Sequence, residues 1–249
     1  MPESEREQFK SRLRAWLPQY RHRFGALPTK YLALDIETFG FGYADPIWQV
    51  GHALVIDGEL VEHANTVLDP RFTQPAEWDC QAAIAKLRTN MEKNGAACHL
   101  NMAVLDTGIH PLTAFEELAG LLQDALAHGY TIVTHNGIKF DLPRIENWLN
   151  TFQLPALKWQ HNTRLDTFAL VKACQMGPNE APGARDTLES WGTRVGKAFG
   201  KGISSSLTWC DNVLGISAQY ELDPALAHTA AHDAVVTHYL LSECRKLER

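Results

Sequence analysis

Apolar residues first fall into register at Phe9, Leu13, Trp16, Leu17 and Tyr20, a helical spacing that predicts an amphipathic helix near the start of the chain. Ser4 followed by Glu7 has capping-box spacing, and Pro18 predicts an end or a kink near Trp16. The next pattern is different. Tyr31-Leu32-Ala33-Leu34-Asp35-Ile36-Glu37-Thr38 reads as a buried strand into which two acids have been set. Gly40-Phe41-Gly42-Tyr43-Ala44-Asp45-Pro46 must be a loop. Residues 47–56 form a second apolar strand, Asp57-Gly58 is a hairpin signal, and residues 59–68 return as a third strand before Asp69-Pro70 breaks it. Residues 75–112 read as a connection of modest length with one helix near 82–91, cut at Asn94-Gly95 and at 108–111. Leu112, Phe115, Leu118, Ala119, Leu122 and Leu126 make one helical stripe that stops near Gly129. A short strand at 131–133, a polar loop at His135-Asn136-Gly137, and helices at 142–149, 165–172 and 231–248 complete the pattern. The Gly- and Ser-rich stretch 192–206 reads as mobile and contains no P-loop spacing.

Strands first, then strands alternating with helices, predict an α/β domain with a mixed sheet. The division expected is an N-terminal helical extension over residues 1–29 and one domain over residues 30–249. Lys10, Arg12, Arg14, Arg21 and Arg23 lie on or beside the extension and read either as its solvated face or as phosphate contacts.

Composition narrows the classes. With 45% hydrophobic and 21% charged residues, the chain is that of an ordinary globular protein. Its net charge of −6 argues against a protein that coats nucleic acid by charge alone, although not against an enzyme holding a strand end with help from metal ions. Five scattered cysteines without Cys-x-x-Cys spacing suit a reducing compartment and carry no zinc signature. The opening residues do not read as a signal peptide and no apolar run is long enough to span a bilayer, so a cytoplasmic protein is expected.

The chemistry begins with period two. In a strand Asp35 and Glu37 point the same way, and like charges so close repel unless a cation or a proton relieves them. Asp141, after Thr134-His135-Asn136-Gly137-Ile138-Lys139-Phe140, stands where a helix begins, and could simply cap it. Asp233, in His228-Thr229-Ala230-Ala231-His232-Asp233, starts the last helix, where the dipole favours an acid anyway.

Together these segments resemble the DEDD superfamily of 3′→5′ exonucleases, in the branch with a catalytic histidine that includes proofreading exonucleases, RNase T and oligoribonuclease. Asp-x-Glu-Thr is met by residues 35–38. His-Asn-x-x-Phe-Asp is met by residues 135–141 with one extra residue before the Phe. His-x-Ala-x-x-Asp is met by residues 228–233 without a gap. The resemblance covers residues 31 to about 245. It implies a ribonuclease H-like mixed sheet flanked by helices, and a two-metal-ion exonuclease that releases nucleoside 5′-monophosphates from single-stranded 3′ ends, with DNA slightly favoured over RNA. A catalytically silent nucleic-acid-binding or scaffold domain on the same fold is the alternative, and an endonuclease is disfavoured by His228. By resemblance, Asp35 would bridge two Mg²⁺ or Mn²⁺ ions, Glu37 and Asp233 would hold the ion that activates water, and Asp141 would act near the second. His228 would take the proton. It lies five residues from Asp233, about 140° around an ideal helix, so it is expected on the loop before the helix. His232 reads as structural, His135 and Asn136 as ordering their loop or touching substrate, and Asp166 as a weaker rival to Asp141. Phe39 is the first candidate for stacking on a terminal base, with core packing an equal alternative and Phe41 and Tyr43 behind it, and by resemblance the Thr38 backbone faces the terminal nucleotide. Besides a nucleic-acid strand, a homodimer or larger assembly is an open partner.

Overall fold

The computed structural model describes residues 3–93, 96–198 and 203–248. The break at Asn94-Gly95 and the centre of the Gly- and Ser-rich stretch lie outside them. Three strands come first after a long helix: α1 (Glu3–Phe24), β1 (Tyr31–Thr38), β2 (Ile47–Ile56) and β3 (Glu59–Val67). Then follow α2 (Cys80–Lys93), α3 (Met102–Leu105), α4 (Pro111–Ala127), β4 (Thr131–Thr134), α5 (Asp141–Thr151), β5 (Arg164–Asp166) and α6 (Thr167–Met176). The chain ends with α7 (Leu188–Lys197), α8 (Leu207–Leu214), α9 (Ile216–Gln219) and α10 (Ala230–Leu247).

The five strands form one mixed sheet in the order β3-β2-β1-β4-β5. The β1–β2–β3 meander is antiparallel and turns at Asp57 and Gly58, both with positive φ, while β4 and β5 join parallel. Alternation along β1 divides the core. Tyr31 and Ala33 face a layer built from α1, α6, α7, α8 and α10, whereas Leu32, Leu34 and Ile36 face α4 and α5. Asp35 and Glu37 continue the first of these faces, so the period of two puts both acids on the α10 side of the sheet.

Three expectations change. First, α1 runs on through Pro18 to Phe24. A proline inside a helix costs about 3 kcal/mol. Here Phe9, Leu13, Trp16 and Leu17 before it and Tyr20 after it are all buried, with Trp16 stacked on Trp191 at 5.6 Å and Phe9 edge-on to Trp209 at 5.1 Å. Packing outweighs the local penalty. Second, Leu165 belongs to strand β5, and the helix begins only at Thr167, because the Asp166 carboxylate accepts the Phe168 N–H and caps it. Third, residues 192–197 are helical. A capping box between Thr187 and Ser190 starts α7, burial of Trp191 and Val195 holds it, and Gly192 lets it lie against Ile138. Among the described residues no helix is long and apolar enough to cross a membrane.

Candidate active site

Asp35 and Glu37 each stand at the head of a cross-strand row. Asp35 pairs with Gly51, which pairs with Asn65, and Glu37 pairs with Gln49. That arrangement builds a seat for α10. The Ala230 N–H donates to Gln49 Oε1 at 2.9 Å and the Ala231 N–H to Asn65 Oδ1 at 3.3 Å, while Thr229 supplies no side-chain cap. Side chains of β2 and β3 thus satisfy N–H groups that a helix start leaves open. Gly51 is what permits the contact, since a Cβ there would lie 2.0 Å from the Ala230 carbonyl carbon. The helix start is brought directly over β2 beside Asp35, and Asp233 comes with it. One carboxylate oxygen from each of Asp35, Glu37 and Asp233 lies within 4.8 Å of the other two.

Asp141 is buried next to this trio. It is the first residue of α5 and does not cap it, because Phe140 holds the cap position. Instead its Oδ1 accepts the Ile36 N–H at 3.3 Å, tying α5 to the strand between the two acids of β1. Gly137 makes room for it, as a Cβ there would sit 2.6 Å from Asp141 Oδ2. Asp166 is occupied differently. Its carboxylate accepts the N–H groups of Asn136 at 2.8 Å and Phe168 at 3.0 Å, so it organises the loop before α5.

The electrostatics follow from crowding acids in a poorly hydrated place. Burial, followed by the charges of Asp141, Asp233 and Glu37, raises the Asp35 carboxyl well above its usual range. Glu37 is raised in the same way by burial, Asp233 and Asp141. Asp141 is pushed up to about 7, by burial and then by Asp166. Asp233 also rises to about 7, mainly through burial, against the opposing effect of the nearby His228 backbone N–H. Such a set is strained near neutral pH unless positive charge is supplied. All the donors are carboxylate oxygens, the ligand type that hard divalent cations take.

His228 lies on the loop before α10, at φ +63°, as its spacing from Asp233 requires. Burial, and then the neighbouring His99, hold it below the usual imidazole value. His99 carries no motif signal, yet its Nε2 lies 2.6 Å from the Ala227 carbonyl, one residue before His228. His232 is buried and lines a groove between β3 and residues 222–239, not the acid cluster. His135 bonds Thr167 Oγ1 at 2.9 Å and Ser205 O at 2.8 Å, and burial lowers it to about 4. Neutral and held at both ring nitrogens, it orders its loop. Asn136, at φ +69°, contributes its backbone N–H to Asp166.

Beyond β1, Thr38 is buried and its hydroxyl donates to Gly40 O at 2.6 Å. The Phe39 ring is half-buried, edge-on to Trp78 at 5.4 Å. The exposed aromatics of this loop are Phe41, 86% accessible, and Tyr43, 61% accessible. Sequence order favoured Phe39, and packing sets Trp78 edge-on against its half-buried ring. Arg144, one turn beyond Asp141 on α5 and 2% exposed, fixes the loop by donating to Phe41 O and, at 2.8 Å, to Phe140 O. Asn147 adds a bond to Tyr43 O at 3.2 Å.

No family model matches the sequence, and no curated protein sequence matches it. Solved structures do match. The zinc-bound E. coli exonuclease I–ssDNA complex superposes with a TM-score of 0.59 at 18% identity, covering 85% of this chain and 39% of that one. A product-bound exonuclease I gives 0.59 at 18% identity over 88% and 43%. The complex of E. coli exonuclease I with a 5cy-dA13 oligonucleotide gives 0.58 at 19% identity over 88% and 40%. The chain thus spans about two fifths of the length of these proteins, and it shares their ribonuclease H-like fold.

Proposed function

We propose that this domain is a metal-dependent 3′→5′ exonuclease that shortens single-stranded nucleic acid, DNA in preference to RNA, and releases nucleoside 5′-monophosphates. The carrying observation is the convergence of Asp35, Glu37 and Asp233 from two elements far apart in sequence, with Asp141 buried beside them. In this reading, Asp35, Glu37, Asp141 and Asp233 hold two divalent cations, which when bound supply charge stabilisation for the reacting phosphate.

The protein's own groups do the rest. Lowered below the usual imidazole range by burial and by His99, His228 is neutral near pH 7, so a ring nitrogen can accept the proton of the attacking water. Phe41 and Tyr43, fixed from beneath by Arg144, present two rings to solvent just past Glu37, a surface on which unpaired bases can stack. Thr38 and Phe39 lie between the acids and these rings, and Asn136 shapes the opposite loop.

The test uses 5′-labelled DNA and RNA oligonucleotides of one sequence, with Mg²⁺ or Mn²⁺. Stepwise shortening that Asp35→Ala abolishes, faster on DNA, is the expected result. Binding without shortening in either metal would replace this reading with a silent binding domain.

A further inference from the structure

Lysines from three different elements converge on the end of α7, beside the loop that leads into α5. Lys139 lies in the loop before α5, two residues from Asp141; Lys172 is on α6; Lys197 ends α7. Gly196 is their common point. Lys172 Nζ donates to Gly196 O at 3.1 Å. The Lys139 side chain crosses the other side of that glycine, where an added Cβ would meet its Cε at 2.9 Å and its Nζ at 3.1 Å. Lys197 is the next residue and is exposed.

One cation at the end of α7 is accounted for by the carbonyl groups a helix leaves open. Lys172 fills that role, and the other two are surplus to it. The ammonium groups of Lys139 and Lys172, brought to one glycine with Lys197 next to it in the chain, repel one another. In a chain with a net charge of −6, such a gathering is not a by-product of composition. Among the described residues none of the three forms an ion pair with a carboxylate. An anion would relieve the cluster, and Lys139 stands two residues from one of the acids proposed to cut a polyanion.

We propose that Lys139, Lys172 and Lys197 form a second phosphate-binding site that holds the backbone of the substrate strand beyond the nucleotide being removed. The inference rests on the exonuclease reading for the identity of the strand. Its consequence is length dependence. A dinucleotide cannot reach this site, whereas a strand of several nucleotides can.

The test measures equilibrium binding of a fluorescent single-stranded DNA dodecamer in an Asp35→Ala background, across a salt series. Each phosphate contact on a single strand contributes about 0.7 to the slope of log Kd against log salt. Replacing all three lysines with glutamine should lower that slope by about 2, and the exposed Lys197→Gln alone by about 0.7, while three arginines should preserve it. In the active protein, the ratio of wild-type to triple-glutamine kcat/KM should grow from dinucleotide to dodecamer. An unchanged slope overturns the proposal, as does equal weakening on a dodecamer with uncharged methylphosphonate linkages. Because binding is read without turnover, a wild-type protein that binds through these lysines but cuts nothing would sink the exonuclease reading alone.

Discussion

Replacing Asp141 by asparagine isolates the cost of gathering the acids. Asp141 is 3% exposed, and its carboxyl is pushed up to about 7 from the usual 3.8 by burial and by Asp166. Because the folded value exceeds the unfolded one, the folded state binds the extra proton. Stability from this group is complete below about pH 4 and drains away as pH rises towards 7. The two values lie about three pH units apart, and each is worth about 1.4 kcal/mol, so ionising Asp141 costs the metal-free fold about 2–4 kcal/mol once its neighbours adjust. Asparagine is nearly isosteric and its carbonyl can still accept the Ile36 N–H. Urea unfolding in EDTA should therefore show the Asp141→Asn protein more stable than wild type at pH 8, with the difference closing towards pH 4. Adding Mg²⁺ should stabilise wild type more than the variant. A variant less stable than wild type at pH 8 in EDTA, or a difference that ignores pH, would refute the view that these acids are strained without cations.

Gly51→Ala places a Cβ against the Ala230 backbone and should cost about 1–3 kcal/mol in chemical denaturation, with a loss of nuclease activity although the residue carries no chemistry. His228→Ala should lower kcat about 10²–10⁴-fold while leaving strand binding measurable by anisotropy. For the wild type at saturating Mg²⁺, which keeps the acids ionised, burial and His99 lower His228, so kcat/KM should hold through the ordinary imidazole range and fall only at lower pH in a stopped-assay profile. Truncating Phe41 and Tyr43 to alanine should raise KM for single strands by the equivalent of about 1–3 kcal/mol per lost stack, and an abasic strand should not distinguish the variant from wild type.

The amino-acid sequence by itself determined the three-strand meander with its hairpin at Asp57-Gly58, the helices α4 and α10, and the placement of Asp35 and Glu37 on one face, but not β5, α7, α8 or α9. The features it determined follow from period-two and period-3.6 patterning, which is local. Motif order also pointed to Asp141, His228 and Asp233, and the spacing of the last two placed His228 on a loop. What only the tertiary structure decided depends on contacts between distant segments. Gly51 looks like any strand glycine until α10 lies on it, and His99 is unmarked until it reaches the Ala227 carbonyl. Pro18 fails to break α1 because buried side chains on either side of it outweigh a local penalty. Phe39 and Phe41 are near-equals in the chain, and Trp78 and Arg144, remote in sequence, settle which ring is half-buried and which is displayed. Patterning records which face a residue takes, but which distant group waits on that face is a property of the assembled packing.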